Sequence, residues 1–127
     1  ELDKVRAFLK SNLTGLDLDE EDTYKVELSL VEMCSNIMRY AYPGHRGEIV
    51  VSAWHEGGKF YLEVRDWGVP FDPRKVKRPT LKEMTSREQM GGLGIFLARK
   101  LMDGFLYRRE DDQNVLLMYK KAEAKKR

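Results

Sequence analysis

From the N-terminus, apolar positions recur at helical spacing. Leu2, Val5, Phe8, Leu9 and Leu13 share one face before Gly15 breaks the pattern, which predicts a first helix. Asp19, Glu20, Glu21 and Asp22 then stand where a helix N-terminus favours acids, and a long periodic stretch over residues 23–40 runs until Tyr42-Pro43-Gly44 ends it. In this central helix Tyr24, Val26, Leu28, Leu30, Val31, Met33, Cys34, Ile37, Met38 and Ala41 cover most of the circumference. It is expected to be largely buried. The period next shortens to two: Ile49, Val51 and Ala53 alternate with Val50, Ser52 and Trp54, and Glu56-Gly57-Gly58 turns the chain into Phe60, Leu62 and Val64. That predicts a β-hairpin. Residues 66–90 are polar, carry Gly68, Pro70, Pro73 and Pro79, and exceed an ordinary connection, so a functional loop acting as a lid is expected. Gly91-Gly92-Leu93-Gly94 opens onto a helix through Ile95, Phe96, Leu97, Ala98, Leu101 and Met102, which Gly104 stops. Two strands, 105–109 and 115–119, flank Asp111-Asp112, and a basic tail over 120–127 is expected to be solvated. The order helix, helix, hairpin, loop, helix, hairpin predicts an α+β fold, a two-layer sandwich with helices gathered on one sheet face.

The chain has 127 residues, which fits one domain spanning 1–127. With 42% hydrophobic and 35% charged residues it has the means to fold without disulfides or a structural metal. A single cysteine, Cys34, and two separated histidines, His45 and His55, furnish neither a disulfide nor a standard zinc cage, and a reducing, cytoplasmic setting fits best. No apolar run reaches the roughly 18 residues of a membrane span and the N-terminus lacks a signal pattern, so a soluble protein with no membrane partner is expected. The start at Glu1 without methionine suggests a trimmed chain. Because 23 basic residues nearly balance 21 acidic ones, the net charge of +2 makes no case for direct nucleic-acid binding.

Chemistry concentrates in three places. On the central helix, Lys25, Ser29, Glu32, Asn36 and Arg39 are spaced four, three, four and three, which puts all five on one face. Such a stripe is also what the solvated back of a core helix looks like. Its functional reading has Glu32 and Asn36 lining a cleft, the carboxylate accepting a proton and the amide oxygen completing the shell of a hydrated magnesium ion. The second place follows from strand parity: continuing the alternation of Phe60, Leu62 and Val64 puts Asp66 on the inward side. A carboxylate there needs a hydrogen-bond donor. The amino edge of adenine would supply one, with Gly68 letting a flat ligand approach; a strand-ending Asp that begins a turn is the plainer alternative. The third place is Gly91 to Gly94, where glycine backbone and a helix N-terminus suit phosphate oxygens, although a flexible loop end has the same composition. Arg74, Lys75, Lys77, Arg78, Lys82 and Arg87 precede it, a basic lid beside an anion site.

In this order the three elements resemble the nucleotide-binding boxes of the Bergerat-fold ATPase superfamily, which includes gyrase-type ATPases, heat-shock chaperones and histidine kinases. Closer still, Glu32-Met33-Cys34-Ser35-Asn36-Ile37 with Ala41-Tyr42, then Asp66-x-Gly68-x-Pro70-Phe71-Asp72, then Gly91-Gly92-Leu93-Gly94-Ile95-Phe96 and Leu101-Met102-Asp103, resemble the anti-sigma-factor serine kinases. The resemblance implies a mixed, mainly antiparallel sheet with helices on one face and ATP or ADP held between the helices and the lid. It implies that Asn36 helps hold Mg2+, that Asp66 reads the adenine amino group, that Gly68 shapes the base pocket, and that Pro70 is among the nucleotide contacts. Arg39 and the stretch Gly91, Gly92, Leu93, Gly94 and Ile95 would complete the nucleotide contacts. Glu32 matches the family's general base, and among the lid basics Arg87 would neutralise charge on the transferring phosphoryl group. Many relatives carry histidine just before the Ala-Tyr pair, where this chain has Tyr40. Partners implied are a sigma factor, an antagonist protein bearing the acceptor serine, and a second copy of the chain in a homodimer. The alternative is an ATP- or ADP-binding regulatory module that binds partners without phosphoryl transfer. A detached histidine-kinase catalytic domain fits less well, since neither His45 beside Pro43-Gly44 nor His55 at a hairpin end lies on a dimerising helix.

Overall fold

Asp19 sets the start of the long helix: its side chain accepts from the Asp22 amide at 2.7 Å, satisfying one of the otherwise unpaired first-turn donors. The structure is a computed structural model and describes residues 2–77, 80–84 and 90–126. The elements run α1 (Leu2–Leu13), β1 (Leu16–Asp17), α2 (Glu20–Tyr40), β2 (Ile49–Glu56), β3 (Lys59–Asp66), a 3-10 turn (Pro73–Lys75), α3 (Leu81–Met84), α4 (Met90–Leu101), β4 (Gly104–Glu110), β5 (Gln113–Lys121) and β6 (Glu123–Ala124). Four strands form one sheet in the order β2-β3-β5-β4, and every described pairing is antiparallel.

Alternation along the inner strands decides which face is covered. Phe60, Leu62 and Val64 of β3 and Leu116 and Met118 of β5 are buried with Val26, Leu30, Met33 and Ile37 of α2 and with Ile95 and Ala98 of α4. Each such large side chain removed from water contributes roughly 1.5–3 kcal/mol, so this helix-to-sheet seam dominates the core. The opposite sheet face carries Tyr61 stacked on Trp54 at 5.2 Å, with Trp54 37% exposed. The α+β sandwich with helices on one face is therefore as the sequence predicts.

Four local expectations need correction. Tyr24 and Met38 were placed in the apolar wrap of α2 but are 61% and 39% exposed, because core and neighbouring helices cover only part of its circumference. The stretch 66–90 is not irregular throughout, since Asp72 caps the 3-10 turn through a 2.9 Å bond from the Arg74 amide and α3 follows. Helix α4 begins at Met90, so Gly91, Gly92 and Gly94 lie in its first turns and not in a turn before it. Packing of Ile95 and Ala98 into the core outweighs the cost of about 1 kcal/mol that each helical glycine carries. The tail is only partly solvated. Lys120 is buried, its ammonium donating to the Leu101 carbonyl at the end of α4 at 2.9 Å, Ala122 is buried, and Glu123–Ala124 pair with Leu16–Asp17.

Candidate functional site

The middle of the polar stripe of α2 faces inward. Ser29 and Asn36 are 0% and 2% exposed, so these two do not belong to a solvated helix back, whereas Lys25 and Glu32 are half-buried and Arg39 is exposed. The stripe faces α4, where Gly94 lies against the Glu32 carboxylate: a methyl group at position 94 would overlap Glu32 Oε2 and come within 2.9 Å of its Cδ. One turn further along, Asn36 Nδ2 donates to the Glu32 carbonyl at 2.7 Å. That bond must be made by the amide nitrogen, so it leaves Oδ1 as the unpaired atom. Arg39, at the exposed end of the stripe, holds its guanidinium 5.8 Å over the Tyr40 ring, and Tyr40 stacks on Phe71 at 5.2 Å.

The C-terminal end of α2 is bound to the turn after β3. The Val69 amide donates to the Ala41 carbonyl at 2.8 Å, and Tyr42 hydroxyl accepts from the Trp67 amide at 2.8 Å while donating to the Glu48 carbonyl at 2.6 Å. Gly68 permits this approach, since a Cβ there would collide with the backbone of Ala41. The space freed by Gly68 thus holds protein backbone, where the sequence reading had it admit a flat ligand. Asp66 is 1% exposed on the inward face, as strand parity requires. Its Oδ1 accepts from the Gly68 amide at 2.9 Å, so it does begin a turn, and also from Asn114 Nδ2 at 2.8 Å. Its Oδ2 has no partner.

Three buried side-chain atoms among the described residues lack a hydrogen-bond partner: Ser29 Oγ, Asn36 Oδ1 and Asp66 Oδ2. Leaving such an atom unpaired costs about 1–3 kcal/mol. Each of the three therefore calls for a hydrogen-bonding partner that the described residues do not supply. Glu32, Asn36 and Ala41 span about 13.5 Å along α2 at the helical rise, with the Gly94 contact at one end and the Asp66 corner at the other.

Other members of the expected set stand apart. Ile95 is 1% exposed within the core and its amide lies past the unpaired first-turn donors of a helix that starts at Met90, whereas Pro70 is exposed and Leu93 half-buried. Gly91 and Gly92 fall in the first turn of α4. Arg87 and Arg78 lie outside the described residues. The described residues contain no cluster of three or more His, Cys, Asp or Glu side chains suited to a metal. A groove of about 970 Å³, lined by Val5, Phe8, Val31, Cys34, Met38 and Ile49 among others, opens on the far side of α2 and includes none of the residues expected at the nucleotide site. Burial there pushes the Cys34 thiol up to about 11.

Sequence reasoning missed Asn114 and Tyr107. Asn114, 3% exposed and directly opposite Asp66 in the β3–β5 register, receives the Tyr107 hydroxyl at 2.6 Å and the Phe71 amide at 3.1 Å on Oδ1. Burial raises the Tyr107 phenol above its ordinary value despite the opposing charge of Arg109, so it keeps the proton it donates. The available signal was parity: Asn114 shares its face with Leu116 and Met118, an inward polar residue like Asp66. The segment that follows β3 is tied down nearby. Arg74 forks onto Asp72 at 2.9 and 3.0 Å, holding that carboxyl below its usual range, and Arg99 donates to the Arg74 carbonyl at 3.1 Å.

A helix layer on one face of an antiparallel sheet, with buried acid and amide oxygens left unpaired and a glycine of a second helix set against the Glu32 carboxylate, is an arrangement found in nucleotide-binding phosphotransfer domains. Residues 1–120 match the family described as the histidine kinase-like ATPase domain, and the chain belongs to it. It is similar to the serine-protein kinase RsbW of Bacillus thuringiensis strain Al Hakam, 28% identical over 111 residues that cover 84% of this chain and 68% of that protein. The RsbW of Bacillus cereus strain AH187 is 29% identical over the same coverage. Among solved structures, the Acinetobacter baumannii histidine kinase AdeS shares the fold, with a TM-score of 0.54 and 14% identity over 78% of this chain. The match spans 46% of that longer chain. The resemblance drawn from the three motifs thus leads to the family that whole-chain comparison finds. No helix among the described residues is long and apolar enough to cross a membrane.

Proposed function

We propose that this chain is an ATP-dependent protein-serine kinase that acts as an anti-sigma factor, phosphorylating a serine of an antagonist protein and sequestering a sigma factor. The observation that carries the reading is the placement of Glu32 against Gly94 with two orphaned oxygens, Asn36 Oδ1 and Asp66 Oδ2, further along the same helix and at its end. The Bacillus relatives named as serine-protein kinases support the acceptor type.

In this reading Asp66 Oδ2 accepts from the exocyclic amine of adenine, which supplies the donor that the buried oxygen lacks. Unpaired backbone amides in the first turn of α4, those of Gly91 and Gly92 among them, receive the phosphates. Asn36 Oδ1 would hold a hydrated Mg2+, a hard cation that takes oxygen ligands and keeps most of its water. When bound, that ion supplies charge neutralisation for the phosphates. Glu32 takes the proton from the incoming serine hydroxyl, and its position beside the phosphate-binding stretch is where a base for attack on the terminal phosphate belongs. Arg87 offsets the charge on the phosphoryl group in flight. The sigma factor, the antagonist, a homodimer and a cytoplasmic location complete the proposal.

Phosphorylation of a candidate antagonist by the wild-type chain and by Glu32→Gln tests it. The variant is expected to bind ATP as the parent does while transfer falls by about 100-fold or more. Wild-type binding of ATP with no transfer to any serine-bearing partner would instead support a nucleotide-binding module.

A further inference from the structure

All four side-chain hydrogen-bond positions of Asn114 are occupied. Oδ1 accepts from Tyr107 hydroxyl at 2.6 Å and from the Phe71 amide at 3.1 Å; Nδ2 donates to Asp66 Oδ1 at 2.8 Å and to the Val69 carbonyl at 2.9 Å. Two donors meet the oxygen and two acceptors meet the nitrogen, so turning the amide over would lose the bonds to Phe71, Asp66 and Val69 and leave only the Tyr107 hydroxyl able to adapt. The consequence falls on Asp66. Its Oδ1 receives both donors that the protein offers, Asn114 Nδ2 and the Gly68 amide, and Oδ2 receives none. A carboxylate without this clamp rotates about its Cβ–Cγ bond and shares donors between its oxygens, so it offers no fixed acceptor direction.

We propose that Asn114, oriented by Tyr107, is a positioning residue that locks the Asp66 carboxylate so that Oδ2 alone is offered to a single ligand N–H, and that it thereby sets the preference for a purine bearing a 6-amino group. Arg109, adjacent to this network, closes the corner by donating to the Gly68 carbonyl at 3.0 Å. A 6-oxo purine would bring an acceptor against an oxygen that is held in place and cannot swing aside. The inference rests on the reading of Asp66 as the group that recognises the base.

The test is calorimetric titration of the wild-type chain, Asn114→Ala and Tyr107→Phe with ATP and with purine riboside 5′-triphosphate, which has hydrogen in place of the 6-amino group. The wild type is expected to favour ATP by about tenfold or more, as for one hydrogen bond to a charged acceptor. In Asn114→Ala that ratio is expected to fall to about threefold or less, the coupling expected between groups in direct contact, with a melting point still well above the assay temperature. If the variant binds both ligands more weakly in the same ratio, Asn114 is only structural and the proposal is overturned. A wild-type ratio near one removes Asp66 as reader of the amine, and the Asn114 proposal with it, before any variant is considered. Should Asn114→Ala fail to fold, Tyr107→Phe decides: a reduced ratio supports the clamp, and an unchanged one overturns it.

Discussion

Gly94 of α4 lies directly against the carboxylate of Glu32 on α2, so a side chain at position 94 would displace that carboxylate. The first atom a methyl group would meet is the far end of a flexible side chain, which gives way by rotating. Gly94→Ala is therefore expected to cost little stability, the overpacking being partly offset by about 1 kcal/mol of improved helix propensity. Its effect falls on the geometry of the proposed base. Phosphoryl transfer is expected to drop about tenfold or more with ATP affinity changed much less, since a small displacement of a catalytic group costs rate and not binding. Parallel transfer and binding assays check this; an unchanged transfer rate contradicts it.

Gly68 presents the opposite case. Here a Cβ would meet the Ala41 backbone, whose carbonyl already accepts the 2.8 Å bond from Val69. Neither side yields without undocking the turn after β3 from the end of α2. Gly68→Ala is expected to destabilise the chain by about 3 kcal/mol in urea unfolding, more than Gly94→Ala does. Equal costs at the two positions would show that the Ala41 contact is not rigid.

Cys34 offers a pH test independent of ligands. Burial raises its thiol from an ordinary 9.0 to about 11, which favours the protonated form in the folded chain. With the folded value raised, the stabilisation is fully present below pH 9 and is lost as pH rises through about 11. At pH 8 the folded chain should hold about a hundredfold less thiolate than the unfolded one, and iodoacetamide should modify it correspondingly more slowly. Equal alkylation rates in native and denatured protein would contradict the burial.

The positions of the candidate site residues on α2 and β3 were legible because both elements are strongly periodic. A polar stripe at helical spacing located Glu32 and Asn36, and period two carried Asp66 inward behind Phe60, Leu62 and Val64. Their burial, however, depends on what packs against them, and the spacing alone left the stripe of α2 compatible with a solvated face. Asn114 escaped because the strand was read from Val115, one residue too late to include an inward polar group at its first turns of alternation. The β1–β6 pairing escaped for a different reason. Two-residue strands contain no period, and the tail's lysines suggested solvent where Lys120 in fact reaches the carbonyl end of α4. The glycines of α4 misled in the same way, their local preference for a turn being overridden by the core contacts of Ile95 and Ala98.

The proposed function rests on recognition of an adenine nucleotide by the orphaned oxygen of Asp66. Calorimetric titration of the wild type and Asp66→Asn with ATP and GTP, with and without magnesium, tests it most directly. The wild type is expected to bind one ATP per chain with GTP weaker by about tenfold or more, and Asp66→Asn to lose that preference, because an amide can present a donor where the base also presents one. Indistinguishable ATP affinity in the two proteins, or no binding of ATP by the wild type, would contradict the account.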